Sequence, residues 1–229
     1  MRYKWVLFDA DGTLFDYEKA EVTALTRAFA AFGHVCTAHH AETYRRINSQ
    51  IWQDFELGKI SSVELRVARF ERLFETLGFA IDPAAFSRTY LEHLGACSQL
   101  VEGAETTVRA LYGKVGLVLI TNGFKDVQRR RVGSSSIRDY FADVVISEEV
   151  GAAKPDGRIF DVAFSKIGDP AKADVLMVGD SLSSDIKGGC DYGIDTCWFN
   201  PAGKLRDGDV TASYEIAALR DVLEIVGIL

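Results

Sequence analysis

Four short apolar runs, each broken off by a polar residue, constrain this chain more than any other feature. Trp5-Val-Leu-Phe8 stops at Asp9, Gly116-Leu-Val-Leu-Ile120 at Thr121, Val144-Val-Ile146 at Ser147, and Val175-Leu-Met-Val178 at Gly179-Asp180. Thr196-Cys-Trp-Phe199 is a further candidate of the same kind. Each has the length of a strand, and apolarity without alternation is what a strand covered on both faces requires. Helix-sized amphipathic segments separate the later runs, at roughly 103–112, 124–132, 156–167 and 183–192. Strand alternating with helix predicts an α/β fold, a Rossmann-like parallel sheet with helices on both faces.

Residues 16–96 depart from this alternation. They read as helix throughout, in segments Ala20 to Phe32, Ala41 to Leu57, Ser62 to Leu77 and Pro83 to Leu94, punctuated by Gly58, Gly78 and the Asp82-Pro83 start. The expected organisation is therefore an α/β core of residues 1–15 and 97–229, with an all-helical domain of residues 16–96 inserted after the first strand.

Composition narrows the partners. Among 229 residues, 26 are Lys or Arg and 33 are Asp or Glu, a formal charge of −7. A nucleic-acid polymer would be repelled by that balance, while a small phosphorylated molecule could still bind at a local positive site. No apolar run approaches the ~20 residues of a membrane span. Only four apolar residues lie between Lys4 and Asp9, so no export signal is expected. Cys36, Cys97, Cys190 and Cys197 contain no Cys-x-x-Cys pair, which predicts buried small hydrophobes rather than a disulfide framework. The expectation is a soluble, cytoplasmic protein.

Ligands of open parallel sheets collect outside the carboxyl ends of the strands. The first run leads into Asp9-Ala-Asp11-Gly-Thr13, the second into Thr121-Asn122-Gly123, the third out to Lys154-Pro155, and the fourth into Gly179-Asp180-Ser-Leu-Ser-Ser-Asp185. Carboxylates, a hydroxyl and an ammonium would then meet at one edge. Acids gathered in one place repel each other unless a cation or a proton intervenes, and a few carboxylates with phosphate are the usual surroundings of Mg²⁺.

This ordered set resembles the four motifs of the haloacid dehalogenase-like superfamily, and the helical insertion resembles its cap domain. Phe8-Asp-Ala-Asp11, Ile120-Thr-Asn-Gly-Phe124, Asp139-Tyr-Phe141, Val145 to Gly151, Ile159-Phe-Asp161 and Val175 to Asp180 are similar to the pyrimidine 5′-nucleotidase branch. The resemblance implies a Mg²⁺-dependent phosphomonoesterase acting on a nucleoside 5′-monophosphate, preferably pyrimidine, with a cap that closes over the site. Asp9 would be the nucleophile, forming an aspartyl phosphate, and Asp11 the acid and then the base. The resemblance places Mg²⁺ on Asp9, the main-chain carbonyl of Asp11, and Asp180. Thr121, Lys154 and the Asn122 amide would donate to the phosphoryl oxygens, and Asp185 would orient Lys154 or the metal's surroundings from outside.

Three further residues are candidate substrate contacts. Phe15 and Asp16 follow the nucleophile loop, and Trp52 stands three residues before Phe55, where its ring could stack on a base. Arg129-Arg-Arg131 reads as a solvated helix face, and His34, His39, His40 and His93 lack a metal spacing. Other readings stay open: a phosphosugar phosphatase or mutase, a metal-independent 2-haloacid dehalogenase (against which Asp11 argues), and a receiver-type phospho-acceptor module. A monomer or weak homodimer is expected.

Overall fold

The three central strands bury both of their faces, which is why their sequences run apolar without a break. In β1 (Trp5–Phe8), β2 (Gly116–Thr121) and β4 (Val175–Gly179) successive side chains go to opposite sides of the sheet. Val6, Phe8, Leu117, Leu119, Leu176 and Val178 enter one core cluster. Leu7, Val118, Ile120, Val175 and Met177 enter the other. The computed structural model describes residues 1–205 and 210–228.

β3 (Asp143–Ile146), β5 (Asp195–Phe199) and β6 (Tyr214–Ile216) complete a six-stranded sheet of order β3-β2-β1-β4-β5-β6. Every neighbouring pair is parallel. The chain therefore works outward from β1 in one direction through β2 and β3, then returns to the other side for β4. That reversal puts a topological switch point at the carboxyl end of β1, where such sheets bind ligands. Asp9 is the first residue past β1, and its N–H continues the ladder to the Val178 carbonyl at 2.9 Å.

The helices, in chain order, are α1 (Tyr17–Ala31), α2 (Ala38–Glu56), α3 (Ser62–Leu77), α4 (Pro83–Gly95), α5 (Ala104–Leu111), α6 (Lys125–Gly133), α7 (Ser147–Val150), α8 (Gly157–Lys166), α9 (Lys187–Tyr192) and α10 (Val222–Val226). Among the described residues no helix is long and apolar enough to cross a membrane. The chain divides into two compact units. One holds Met1–Tyr17, Ser98–Lys125 and the residues from Val132 onward, and contains the sheet; the other holds Glu18–Cys97 with Asp126–Arg131.

The helical unit owes its ends to local chemistry. Thr37 and His40 form a reciprocal capping box on α2, Ser61 and Glu64 form one on α3, and Asp82 caps α4 ahead of Pro83. Its core is aromatic: Phe86 lies 5.0 Å from Phe29, 5.0 Å from Phe74 and 5.1 Å from Phe70 between ring centroids.

Two sequence expectations need correction. Residues 124–132 read as a helix of the core, yet Asp126–Arg131 group with the helical unit. There Arg66 clasps Asp126 at 2.8 and 3.1 Å, and Arg131 is fully buried with its Nε donating to the Cys97 carbonyl at 2.8 Å. Arg131 is thus no solvated face. The single helix expected over 183–192 begins instead as a π-helical turn, Leu182–Ile186. The N–H groups of Asp185 and Ile186 both reach the Ser181 carbonyl at 3.1 Å, which accommodates an extra residue before α9.

Candidate active site

Lys154 organises the carboxyl edge of the sheet. Only 1% exposed, it directs its three ammonium donors to Asp9 Oδ1 at 2.6 Å, Asp185 Oδ1 at 2.6 Å and the Ile120 carbonyl at 2.8 Å. Burial works against the charge on Lys154, but Asp185 and Asp9 outweigh it and hold the ammonium well above its ordinary value. Its backbone is fixed separately. Asn122 Oδ1 accepts the Lys154 N–H at 2.7 Å, and Asn122 Nδ2 donates to the Lys154 carbonyl at 2.8 Å.

Asp185 is spoken for at both oxygens, since Oδ2 accepts the Ser181 N–H at 3.0 Å. Its close seat depends on Gly179, where an added Cβ would stand 2.2 Å from Asp185 Oδ2. A similar approach holds Asp180, whose Oδ2 lies 2.6 Å from the position of a Cβ on Gly12. Gly12 has φ +87°, a conformation that glycine adopts without strain. The loop after β1 closes through Leu14 and Phe15 N–H bonds to the Ala10 carbonyl at 3.0 and 2.8 Å.

One oxygen each from Asp9, Asp180 and Asp185 lies within 4.8 Å of the others. Burial, and behind it the neighbouring carboxylates, pushes Asp9 well above its ordinary range against the pull of Lys154. Asp180 is pushed up to about 7, again by burial first and Asp185 next, with Lys204 and Lys154 pulling down. Fully ionised, the three carboxylates facing one buried ammonium would carry a net charge of −2, which is what resists their ionisation. A divalent cation with oxygen ligands answers that charge, so the donor set fits Mg²⁺.

Comparison with known proteins gives the family. A family model described as a haloacid dehalogenase-like hydrolase matches residues 3–191. The chain is a haloacid dehalogenase-like hydrolase. It is 34% identical over 226 residues to the pyrimidine 5′-nucleotidase YjjG of Escherichia coli, covering 99% of each chain. It is 35% identical over 225 residues to the pyrimidine 5′-nucleotidase PynA of Streptococcus pneumoniae, covering 98% of this chain and 95% of that one. The crystal structure of the HAD-hydrolase YfnB from Bacillus subtilis bound to magnesium superposes with a TM-score of 0.94 at 34% identity, over 100% of both chains.

Within this haloacid dehalogenase-like hydrolase, Asp9, Lys154, Asp180 and Asp185 come together at the sheet edge, and Thr121 ends the neighbouring strand, 1% exposed. Thr121 Oγ1 accepts the Gly123 N–H at 3.1 Å, which leaves its own proton to donate. Asp11 and Asp16 are half-buried in the loop after β1, and Asp16 N–H is held by the Gln99 carbonyl at 2.9 Å. Trp52 lies on α2 in the helical unit, edge-on to Phe55 at 5.7 Å.

Three expectations change. Phe15 is fully buried within the core cluster of the sheet, packed with residues such as Phe8 and Leu14, rather than presented at the edge. The side-chain amide of Asn122 holds the Lys154 backbone through Oδ1 and one of its two Nδ2 protons, so its first task is to place Lys154. Lys154 has all three donors engaged, so it offers charge and a grip on Asp9 rather than a free N–H.

Sequence reasoning also passed over three residues. Thr13, inside the first motif, donates to Asp180 Oδ1 at 3.4 Å. The indole of Trp198 donates to the Asp180 carbonyl at 3.0 Å. Lys204 places its charge toward Asp180 from a turn closed by Asn200, which accepts the Lys204 N–H at 2.8 Å and donates to its carbonyl at 3.0 Å. Trp198-Phe-Asn200 follows the same strand-then-polar pattern as the other four ends, so reading β5 by that rule would have found this edge.

Proposed function

We propose that this hydrolase is a Mg²⁺-dependent phosphatase of nucleoside 5′-monophosphates, preferring pyrimidine nucleotides, that works through an aspartyl phosphate on Asp9. The observation that carries the reading is the Asp9 carboxylate gripped by buried Lys154 at the switch point, with Asp11 two residues on. The nucleotidase names of YjjG and PynA support the substrate class. Asp9, the main-chain carbonyl of Asp11, and Asp180 would hold the metal. When bound, Mg²⁺ screens the phosphoryl dianion and offsets the negative charge that builds up as the reaction proceeds.

The chain's own residues do the rest. Lys154 holds Asp9 Oδ1, which aims the carboxylate for in-line attack on phosphorus. The new bond joins an Asp9 oxygen to phosphorus as the ester bond to the nucleoside breaks. Asp11 gives its proton to the departing 5′ oxygen, then takes one from the water that attacks the phosphorus of the aspartyl phosphate. Phosphate leaves and Asp9 is restored as a carboxylate. Thr121 donates its hydroxyl proton to a phosphoryl oxygen, the Asn122 main-chain N–H supports it, and Asp185 acts by holding Lys154. Asp16 and Trp52 are the proposed contacts to the nucleoside.

Phosphate release is to be measured across nucleoside monophosphates and sugar phosphates, and chloride release from 2-chloropropionate, each with Mg²⁺ and with chelator. Turnover of UMP and CMP ahead of purine nucleotides and sugar phosphates, lost on chelation, is the expected result. Preference for a sugar phosphate, or dehalogenation that survives chelation, would overturn the reading.

A further inference from the structure

The strand that neighbours β4 supplies a group with no part in the chemistry above. Trp198 is 2% exposed, and its pairing with Gly179 is the last rung between β4 and β5. Asp180 is the first residue beyond that ladder. Its carbonyl is met by the Trp198 indole N–H at 3.0 Å rather than by a strand partner. A buried indole needs such an acceptor, so the contact is a strong local constraint on the Asp180 backbone.

The same ring packs with Ile186 and Ala212, and Leu182 and Val210 lie against that cluster. Leu182 and Ile186 are the two ends of the π-helical turn that carries Asp185. One side chain thus bears on two carboxylates of the triplet, on Asp180 through its carbonyl and on Asp185 through the turn that presents it. Thr13 restrains the Asp180 carboxylate itself, at 3.4 Å from Oδ1, so backbone and side chain are held from different elements.

We propose that Trp198 is a positioning residue for the divalent cation, fixing the Asp180 main chain so that its carboxylate faces Asp9. This rests on the Mg²⁺ reading of the site. Groups that orient a metal ligand without touching the metal typically govern affinity by 10–100-fold.

Calorimetric titration of Mg²⁺ into the whole protein, without substrate, tests the idea on Trp198→Phe, which keeps an aromatic ring and removes the donor. Binding weakened about tenfold relative to the parent protein is expected. Val226→Ala is the control: Val226 lies fully buried at the opposite end of the sheet, where its carbonyl accepts the Arg2 N–H at 3.0 Å. It should lower the melting temperature and leave Mg²⁺ affinity unchanged. Mg²⁺ binding by Trp198→Phe indistinguishable from the parent overturns the proposal. Should that variant fail to melt cooperatively, the parent protein labelled with ¹⁵N-tryptophan decides the matter. The Trp198 indole resonance must move on Mg²⁺ titration with the calorimetric midpoint while that of Trp5 stays still; an unmoved Trp198 signal overturns the proposal. A parent protein that binds no Mg²⁺ sinks the underlying metal reading instead.

Discussion

Asn122 grips Lys154 on both sides of its main chain, accepting its N–H at 2.7 Å and donating to its carbonyl at 2.8 Å across 32 residues of sequence. The carboxamide therefore decides where the ammonium stands. Asn122→Ala leaves two backbone groups of a buried residue without partners, a loss of about 1–3 kcal/mol for each. Because small misplacements of a positioning group can cost about 10² in rate, kcat/KM should fall by more than the loss of stability suggests. Steady-state kinetics with urea denaturation on the same samples checks both. Activity close to the parent would show that Lys154 stands unaided.

Removing the ammonium should harm the fold as well as the reaction. Asp9 and Asp185 face Lys154 from within the protein, and taking away one partner of such a group costs about 3–5 kcal/mol. Lys154→Met is expected to lose that much in denaturant unfolding without Mg²⁺. Adding Asp185→Asn should recover part of it, because one stranded carboxylate becomes neutral. Additive losses in the double variant would contradict the pairing.

The site also sets a pH dependence. Asp180 has its folded value raised from 3.8 to about 7, so across that window the folded protein keeps a proton that the unfolded chain has released. The stability this contributes is whole below about 4, declines as pH rises toward about 7, and is gone above it. In the proposed function Mg²⁺ needs the carboxylate, so it would compete with that proton and its benefit would run the other way. Thermal melts at about pH 5.5 and about pH 8 should show a clear Mg²⁺ stabilisation at the higher pH and little at the lower. Equal shifts at both would exclude a protonated Asp180 in the metal-free protein.

Gly179 tests how closely the carboxylates are seated. An added methyl would stand 2.2 Å from Asp185 Oδ2 and 2.3 Å from its carboxyl carbon, so Gly179→Ala forces Asp185 away from Lys154. Loss of stability in the range of about 1–3 kcal/mol for overpacking is expected, with activity reduced at least tenfold. A crystal structure of the variant should show the Asp185–Lys154 distance lengthened from 2.6 Å; an unchanged distance would refute the steric reading.

Much of this was legible in the sequence because strands buried on two faces must be apolar throughout and must stop where the sheet meets its ligand edge. Trp5–Phe8 with Asp9, and Val175–Val178 with Asp180, announce themselves for that reason. Tyr214–Ile216 does not, being three residues long with Glu215 exposed. The turn at Leu182–Ile186 stays hidden because a single i→i+5 turn of five residues is too short to show a periodicity of its own. Phe15 misleads because a residue of a loop at the sheet edge looks exposed, whereas the loop folds back and buries it. The bond from Asn122 to Lys154 and that from Trp198 to Asp180 are tertiary, and no local spacing records them.

The most direct test is rapid quenching of the enzyme with Mg²⁺ and ³²P-labelled UMP, followed by peptide mapping of the acid-stable label. A transient acyl phosphate on Asp9, formed and lost at rates that account for turnover and absent from Asp9→Asn, is the expected result. Phosphate release by Asp9→Asn at the parent rate, or label on any other residue, would contradict it.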